Sequence, residues 1–244
     1  MDYFPDNTLN AFKIKLPEPI RFENVAMEVG LAEIHYSHTW LNIKSTDDGS
    51  LTDRNVFYFN DGIGYRGCFI TEGHYDSVSQ LIDEMNRALT STTVGNKEHI
   101  HFSYNVLNRK VTVHIDKPDI KVYFVNPICN MLGFKDGSEI TQTTTAPNVS
   151  DVDRITSFYV YANIVEAQIV GNSSVPMLRT VPVQGQVGDY VAKIYDQPHY
   201  LPVSVKQFDV VEINIMDELG KPVPFESGRV VVKLHFRPSR QLYV

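Results

Sequence analysis

Apolar residues along this 244-residue chain recur mostly at every second position, the spacing of half-buried β-strands. The first such run, residues 11–16, sets Phe12, Ile14 and Leu16 against Lys13 and Lys15. Runs at 25–34 and 39–43 follow, and those at 57–59 and 67–71 flank an Asp61-Gly62 turn signal. In residues 99–104, Ile100, Phe102 and Tyr104 share a face; in 110–116, Val111, Val113 and Ile115 do. These two runs predict a hairpin that sets Phe102 opposite Val113 or Tyr104 opposite Val111. Further strands are predicted at 120–125, 157–164, 179–183, 190–195, 210–216 and 229–236. One stretch keeps a helical period instead. Over 77–89, Val78, Leu81, Ile82, Met85 and Leu89 form a stripe, and Ser77 with Gln80 makes a capping box. A very short second helix is predicted at 127–132, with Asn126 as its cap, Pro127 in its first turn and Gly133 ending it. Residues 141–153 are polar and Thr-rich without periodicity, which predicts a long surface loop.

About ten closely spaced strands with one substantial helix describe a β-sandwich or barrel. The strand–helix alternation of a parallel α/β sheet is absent. The leading fold is all-β, a single jelly-roll β-sandwich with one short helix in a connection and large loops. The expected organisation is an N-terminal arm at 1–10, one jelly-roll domain at 11–238 and a tail at 239–244. The last two strands read as partners. Val230, Val232, Leu234 and Phe236 face one way, with Val231, Lys233, His235 and Arg237 opposite; Val211, Ile213 and Ile215 oppose Glu212 and Asn214. Gly220, Pro222 and Pro224 stop the strands from running on.

With 43% apolar and 21% charged residues the chain is not disordered, and at this length its core needs no disulfide or metal staple. A formal net charge of −7 argues against a phosphate-gripping surface, so no specific nucleic-acid binding is expected. Arg229, Lys233, Arg237 and Arg240 read as a solvated face. Cys68 and Cys129 stand in unrelated contexts and read as small core residues of a protein made in a reducing compartment. The opening residues lack the basic and apolar regions of a signal peptide, and no apolar run approaches the roughly 18–20 residues of a membrane span. The expectation is an intracellular, soluble chain whose Asn148-Val149-Ser150 and Asn172-Ser173-Ser174 patterns stay unglycosylated.

Chemistry has few candidates. His99, His101 and His114 lie on the polar face of the predicted hairpin, where cross-strand neighbours could share a metal with Asp116 as third ligand. The plainer reading is a solvent-facing histidine pair without an ion, and a pH-sensitive contact near about pH 6 is a third use. His35 and His38 point to opposite faces of a strand and read as structural. No G-x-S-x-G occurs, and Asp47-Asp48, Asp151 with Asp153, and Asp217-Glu218 sit in turn-like segments. Gly62-Ile63-Gly64 and Gly185-Gln186-Val187-Gly188 are too short for a phosphate loop. No catalytic residue and no cofactor is expected, and the chain does not read as an enzyme. The remaining signal is aromatic. Pro198, His199 and Tyr200 form a proline-bracketed segment, and Phe225 is flanked in the same manner. Such pre-ordered segments suit protein interfaces because docking costs them little entropy. A strand edge guarded by proline is the other reading.

These residues carry a resemblance. Pro198-His199-Tyr200-Leu201-Pro202-Val203, Phe208, Pro222-Val223-Pro224-Phe225-Glu226 with Gly228, and Val232-Lys233-Leu234-His235-Phe236 resemble the C-terminal pattern of the minor capsid (penton) protein of Polinton/Maverick elements and related adintovirus-like viruses. A looser match runs upstream through residues 12–16, 28–34 and 73–89, Leu132-Gly133-Phe134 and 175–179. Residues 47–53 and 141–153 match nothing in it. The resemblance implies a single jelly-roll protein forming homopentamers at icosahedral vertices. Its neighbours would be trimers of a double jelly-roll major capsid protein, in a particle packaging double-stranded DNA. The implied place is the virion capsid, after synthesis in the host cytoplasm and with assembly in either cytoplasm or nucleus. A vertex spike or fibre would be a further partner. The family has no catalytic residues to transfer. Interface candidates are Pro198, His199, Tyr200 and Phe225, and the arm at 1–10. A second class of function is a glycan-binding β-sandwich used in attachment, for which Tyr159 or Tyr161 would be an exposed aromatic platform. A metal hydrolase on the His99, His101 and His114 face is a third.

Overall fold

The computed structural model describes residues 4–22, 25–45, 55–60, 62–91, 97–152 and 155–239. Asp47-Asp48, Asp61, Asp153 and Arg240, each weighed above, lie outside them, as do residues 1–3 and 240–244. In chain order the elements begin with strands β1 (Ala11–Arg21), β2 (Met27–Ser37), β3 (Val56–Asn60) and β4 (Tyr65–Phe69), then helix α1 (Val78–Ser91). Strands β5 (Ile100–Asn105), β6 (Lys110–Ile115) and β7 (Lys121–Phe124) follow, then helix α2 (Ile128–Met131), β8 (Glu139–Ile140) and β9 (Thr144–Thr145). Next come β10 (Ser157–Ala162), β11 (Gln168–Val170), β12 (Ser173–Val175), β13 (Met177–Pro182), β14 (Tyr190–Ile194) and β15 (Leu201–Pro202). The last two are β16 (Gln207–Met216) and β17 (Val231–Pro238). The chain is all-β with helices confined to connections. The single domain expected over 11–238 covers two compact units, residues 1–40 with 155–244, and residues 41–154.

The first unit is a sandwich. One sheet has the order β1-β16-β10-β13; in the other, β2 pairs with β17 along one edge and with β14 and β15 along the opposite edge. Inward residues of both sheets merge into one cluster that includes Val29, Leu31, Ile34, Tyr36, Phe158, Val160, Ile213 and Ile215. Register shifts between Lys233 and Leu234, so Ala32 of β2 has no partner there. On the opposite edge its carbonyl accepts the Tyr195 N–H at 2.9 Å, extending the β14 pairing by one residue. This bulge explains why the inward set of β2 steps by three from Leu31 to Ile34.

Here the pairing read from sequence is corrected. β16 and β17 do not pair with each other: β16 lies between β1 and β10, and β17 lies on β2 in the other sheet. The alternation gives each strand's inward face correctly, with Ile213 and Ile215 buried and Val230, Val232, Leu234 and Phe236 packed on the same cluster. A period of two carries no information about which strand comes alongside. Ile14, expected inward, is 53% exposed beside Val211.

The second unit packs the sheet β4-β3-β7-β8 and the sheet β5-β6-β9 around Phe57, Phe59, Phe102 and Phe124, with α1 completing the core. The Phe57 and Phe102 rings meet edge to face, centroids 5.3 Å apart. Helix α1 buries Val78, Leu81, Ile82, Met85 and Leu89 as its stripe predicts, plus Ala88. Its Asn86 side chain hydrogen-bonds both backbone groups of Phe102, accepting its N–H at 3.0 Å and donating to its carbonyl at 2.9 Å, which closes the outer edge of β5. The capping box is displaced: Ser77 Oγ accepts the Gln80 N–H, but Gln80 Oε1 accepts the N–H of Asp76.

Three further readings change. Residues 39–43 form no strand; Ile43 makes a single bridge to Gly73. Pro127, not Asn126, stands at the cap of α2, and Asn126 Oδ1 takes Cys129 Sγ and Asn130 Nδ2. The loop expected over 141–153 is partly built into the unit: β9 pairs with β6, and Ala146, Ser150 and Val152 are buried. Ser150 Oγ donates to the Leu132 carbonyl at 2.8 Å, so its small polar residues satisfy buried backbone as well as meeting water.

Candidate assembly surface

Pro198, His199 and Tyr200 cross the outer face of β2 at Gly30. A Cβ on Gly30 would stand 2.8 Å from the His199 carbonyl oxygen and 2.9 Å from Pro198 Cβ, so only glycine admits the segment this closely. Tyr200 is then locked from two sides. Its hydroxyl lies 3.0 Å from His235 Nδ1, and the Arg237 guanidinium carbon sits 3.5 Å from its ring centroid. Arg237 is itself held, Nε and Nη2 both 2.9 Å from Glu28 Oε2. Farther along the same face, Lys233 pairs with Glu33 at 2.7 Å, and His35 lies 3.4 Å from Glu33 and 3.1 Å from the Tyr190 hydroxyl. Donation from Lys233 is the main cause holding the Glu33 carboxyl below its ordinary range. The surface is therefore an ordered lattice of polar pairs with His199 exposed and Pro198 and Tyr200 half-buried. Of the four basic residues read as a solvated face, Lys233 and Arg237 make these ion pairs.

Phe225 lies elsewhere. It packs half-buried in an aromatic group with Trp40 at 5.7 Å, Tyr36 at 6.4 Å and Phe158 at 6.4 Å between centroids. The His38 ring lies tilted against Trp40 in the same group, centroids 4.0 Å apart. Burial pushes the Tyr36 hydroxyl above its ordinary pKa, and that hydroxyl bridges Gln184 by donating to its carbonyl and accepting its N–H. The arm is also less free than expected: Asn7 brackets both backbone groups of Lys13, and Asn10 Nδ2 donates to the Val223 carbonyl.

The hairpin takes one of the registers the pattern allows, Phe102 opposite Val113 and Tyr104 opposite Val111, and of His101 and His99 it is His101 that faces His114. The His101 and His114 rings stack at 5.4 Å, while His114 Nε2 is engaged by Ser103 Oγ and His99 Nδ1 by Asp116, each at 2.7 Å. The three rings thus divide between separate partners. Among the described residues no group of three or more His, Cys, Asp or Glu is placed to hold a metal ion. Asp217 Oδ1 accepts the N–H groups of Leu219 and Lys221, the work of a turn former. Neither cysteine is in a disulfide and both are buried, and burial pushes the Cys68 thiol up to about 12. Tyr159 and Tyr161 are half-buried on β10 rather than displayed. Among the described residues no helix is long and apolar enough to cross a membrane.

In the sandwich unit, the connections from β1 to β2, β13 to β14, β15 to β16 and β16 to β17 all pass between its sheets, which places the fold among jelly-roll β-sandwiches. No family model matches the sequence, and no curated protein does. Solved structures do match. The crystal structure of the mavirus penton protein aligns with a TM-score of 0.50 at 12% identity, covering 94% of this chain and 91% of that one. A chain of the Sputnik virophage cryo-EM structure aligns at 0.43 and 10% identity over 93% and 91%. At such identity the likeness to the mavirus protein is one of fold.

Proposed function

We propose that this chain is a structural capsid protein, the pentameric vertex protein of an icosahedral double-stranded DNA particle, seated among trimers of a double jelly-roll major capsid protein. The observation that carries the reading is the fold likeness to the mavirus penton protein along nearly the full length of both chains. The Polinton/Maverick-type pattern in residues 198–236 supports it from the sequence side. A vertex protein needs head-to-tail contacts that close after five copies, each burying on the order of 1,000 Å² or more. The sandwich offers material for them: a pinned Pro198–Tyr200 segment, and the strands β14 and β17 at the two edges of one sheet. Its role is contact with copies and capsid neighbours, not turnover of a substrate.

Light-scattering mass of the purified chain, and co-expression with its major capsid partner, test this. A pentamer, or a concentration-dependent approach to one, and incorporation into shells are expected. A strictly monomeric chain that never enters shells would sink the proposal.

A further inference from the structure

The outer face of the sheet β4-β3-β7-β8 displays aromatic rings that neither core of the molecule uses. By register, Gly67 of β4, Tyr58 of β3, Tyr123 of β7 and Glu139 of β8 lie in one row across it. Tyr65, Asn60 and Lys121 form the next row, and Phe69 stands beyond Gly67 on β4. Phe69 is 62% exposed and Tyr65 53%, while Tyr58 and Tyr123 are half-buried with centroids 6.4 Å apart. Because Gly67 has no side chain, the Phe69 and Tyr58 rings both lean over it, each within 3.6 Å of where a Cβ would stand. The result is a group of four aromatic side chains on one sheet face, with Val56 beneath Gly67.

Its polar groups are fixed. The Tyr65 hydroxyl donates to Glu139 Oε2, and Lys121 Nζ lies 2.6 Å from Glu139 Oε1. Asn60 accepts the Gly62 N–H with its amide oxygen, which leaves its amide N–H groups as donors. Lys121 and Glu139 are the only formal charges on these rows, and they cancel. The complement to such a face is therefore uncharged. It would present flat apolar patches to the rings and closely spaced hydroxyls to the amide and carboxylate. A pyranose ring has that make-up, with C–H groups on one face and hydroxyls around its rim. A phosphate, a sulfated chain or a charged peptide lacks it. We propose that this face binds a neutral oligosaccharide. The reading uses the 41–154 unit alone and does not depend on the capsid proposal.

The test is titration of the full chain with cellotetraose, chitotetraose and mannotetraose, followed by saturation-transfer NMR and calorimetry, with mass measured in parallel. Binding of at least one sugar with Kd below about 1 mM is expected. Phe69→Ala and Tyr65→Ala should each weaken it at least about tenfold, and Ile169→Ala, on the β11–β12 hairpin of the other unit, should leave it unchanged. Phe69→Leu, which keeps the bulk and removes the ring, guards against a folding defect and should weaken binding to a similar degree at unchanged melting temperature. No binding of any of the three up to about 10 mM overturns the proposal. So does binding that is indifferent to the ring variants, or variants that alter the oligomer mass while sparing sugar binding, since the face would then be a contact between proteins.

Discussion

Gly30→Ala tests how tightly the Pro198–Tyr200 segment is tied to the sandwich. The added methyl would stand 2.8 Å from a backbone carbonyl and 2.9 Å from a proline carbon, where ordinary contact begins at 3.4 Å. If the segment stays, it must give by about half an ångström, an overpacking strain worth about 1–3 kcal/mol. If it lifts, Tyr200 loses its hydrogen bond to His235, about 0.5–1.5 kcal/mol, and its contact with Arg237, about 0.5–1 kcal/mol. Either route predicts a loss of about 1–3 kcal/mol. Trp40, the only tryptophan, is buried in the same unit, so its fluorescence during urea unfolding reports on that unit. Tyr200→Phe separates the two routes: if the segment lifts, the cost of removing the hydroxyl disappears in the Gly30→Ala background. A Gly30→Ala loss under about 0.5 kcal/mol refutes the close-approach reasoning.

Three other perturbations follow from the geometry. Glu84 is held down to about 2, from an ordinary 4.5, chiefly by hydrogen bonds from Arg87, with Thr71 adding to it. A carboxyl depressed in the folded state contributes stability that is present above about pH 4.5 and lost as pH falls toward 2. Arg87 is 58% exposed, so screening reduces the contribution to about 1–2 kcal/mol. Acid unfolding should therefore show a pH dependence over that window that Glu84→Gln flattens, and identical profiles would contradict the assignment. Asn86→Ala strips both partners from Phe102 and should cost about 1–3 kcal/mol by thermal unfolding, with no loss meaning that water replaces the amide. In a Cys129→Ser background, Cys68 should stay unreactive toward a disulfide reagent at about pH 8 until the chain unfolds; rapid native-state labelling would show that its thiol is not buried as described.

What the sequence disclosed follows physical lines. Alternation located most of the long strands and the inward face of β17. It limited β5–β6 to registers that keep Phe102, Tyr104, Val111 and Val113 on one side, leaving His114 opposite His101 or His99 until the structure chose His101. The stripe of α1 was equally plain. Local signals could not reveal that β16 and β17 belong to different sheets, that β9 joins β6, or that the β11–β12 hairpin exists, since each depends on partners or lengths below what periodicity resolves. Among the assembly candidates, Pro198–Tyr200 stood out for its prolines. Gly30, which admits that segment, lay unnoticed inside a strand pattern, where an interior glycine is the usual mark of a close backbone approach. Phe225 was singled out by the same proline logic and sits instead among Trp40, Tyr36 and Phe158. The Tyr65 and Phe69 face escaped because neighbours on three other strands build it.

The placement of β16 and β17 has a consequence for synthesis. β16, which pairs with β1, and β17, one of the partners of β2, leave the ribosome about 200 residues after the segments they must join. The 41–154 unit is contiguous and can mature while translation continues. The sandwich cannot close until β17 reaches β2. Through that interval the apolar faces and open edges of β1 and β2 stay uncovered, which makes the waiting segment prone to stray pairing.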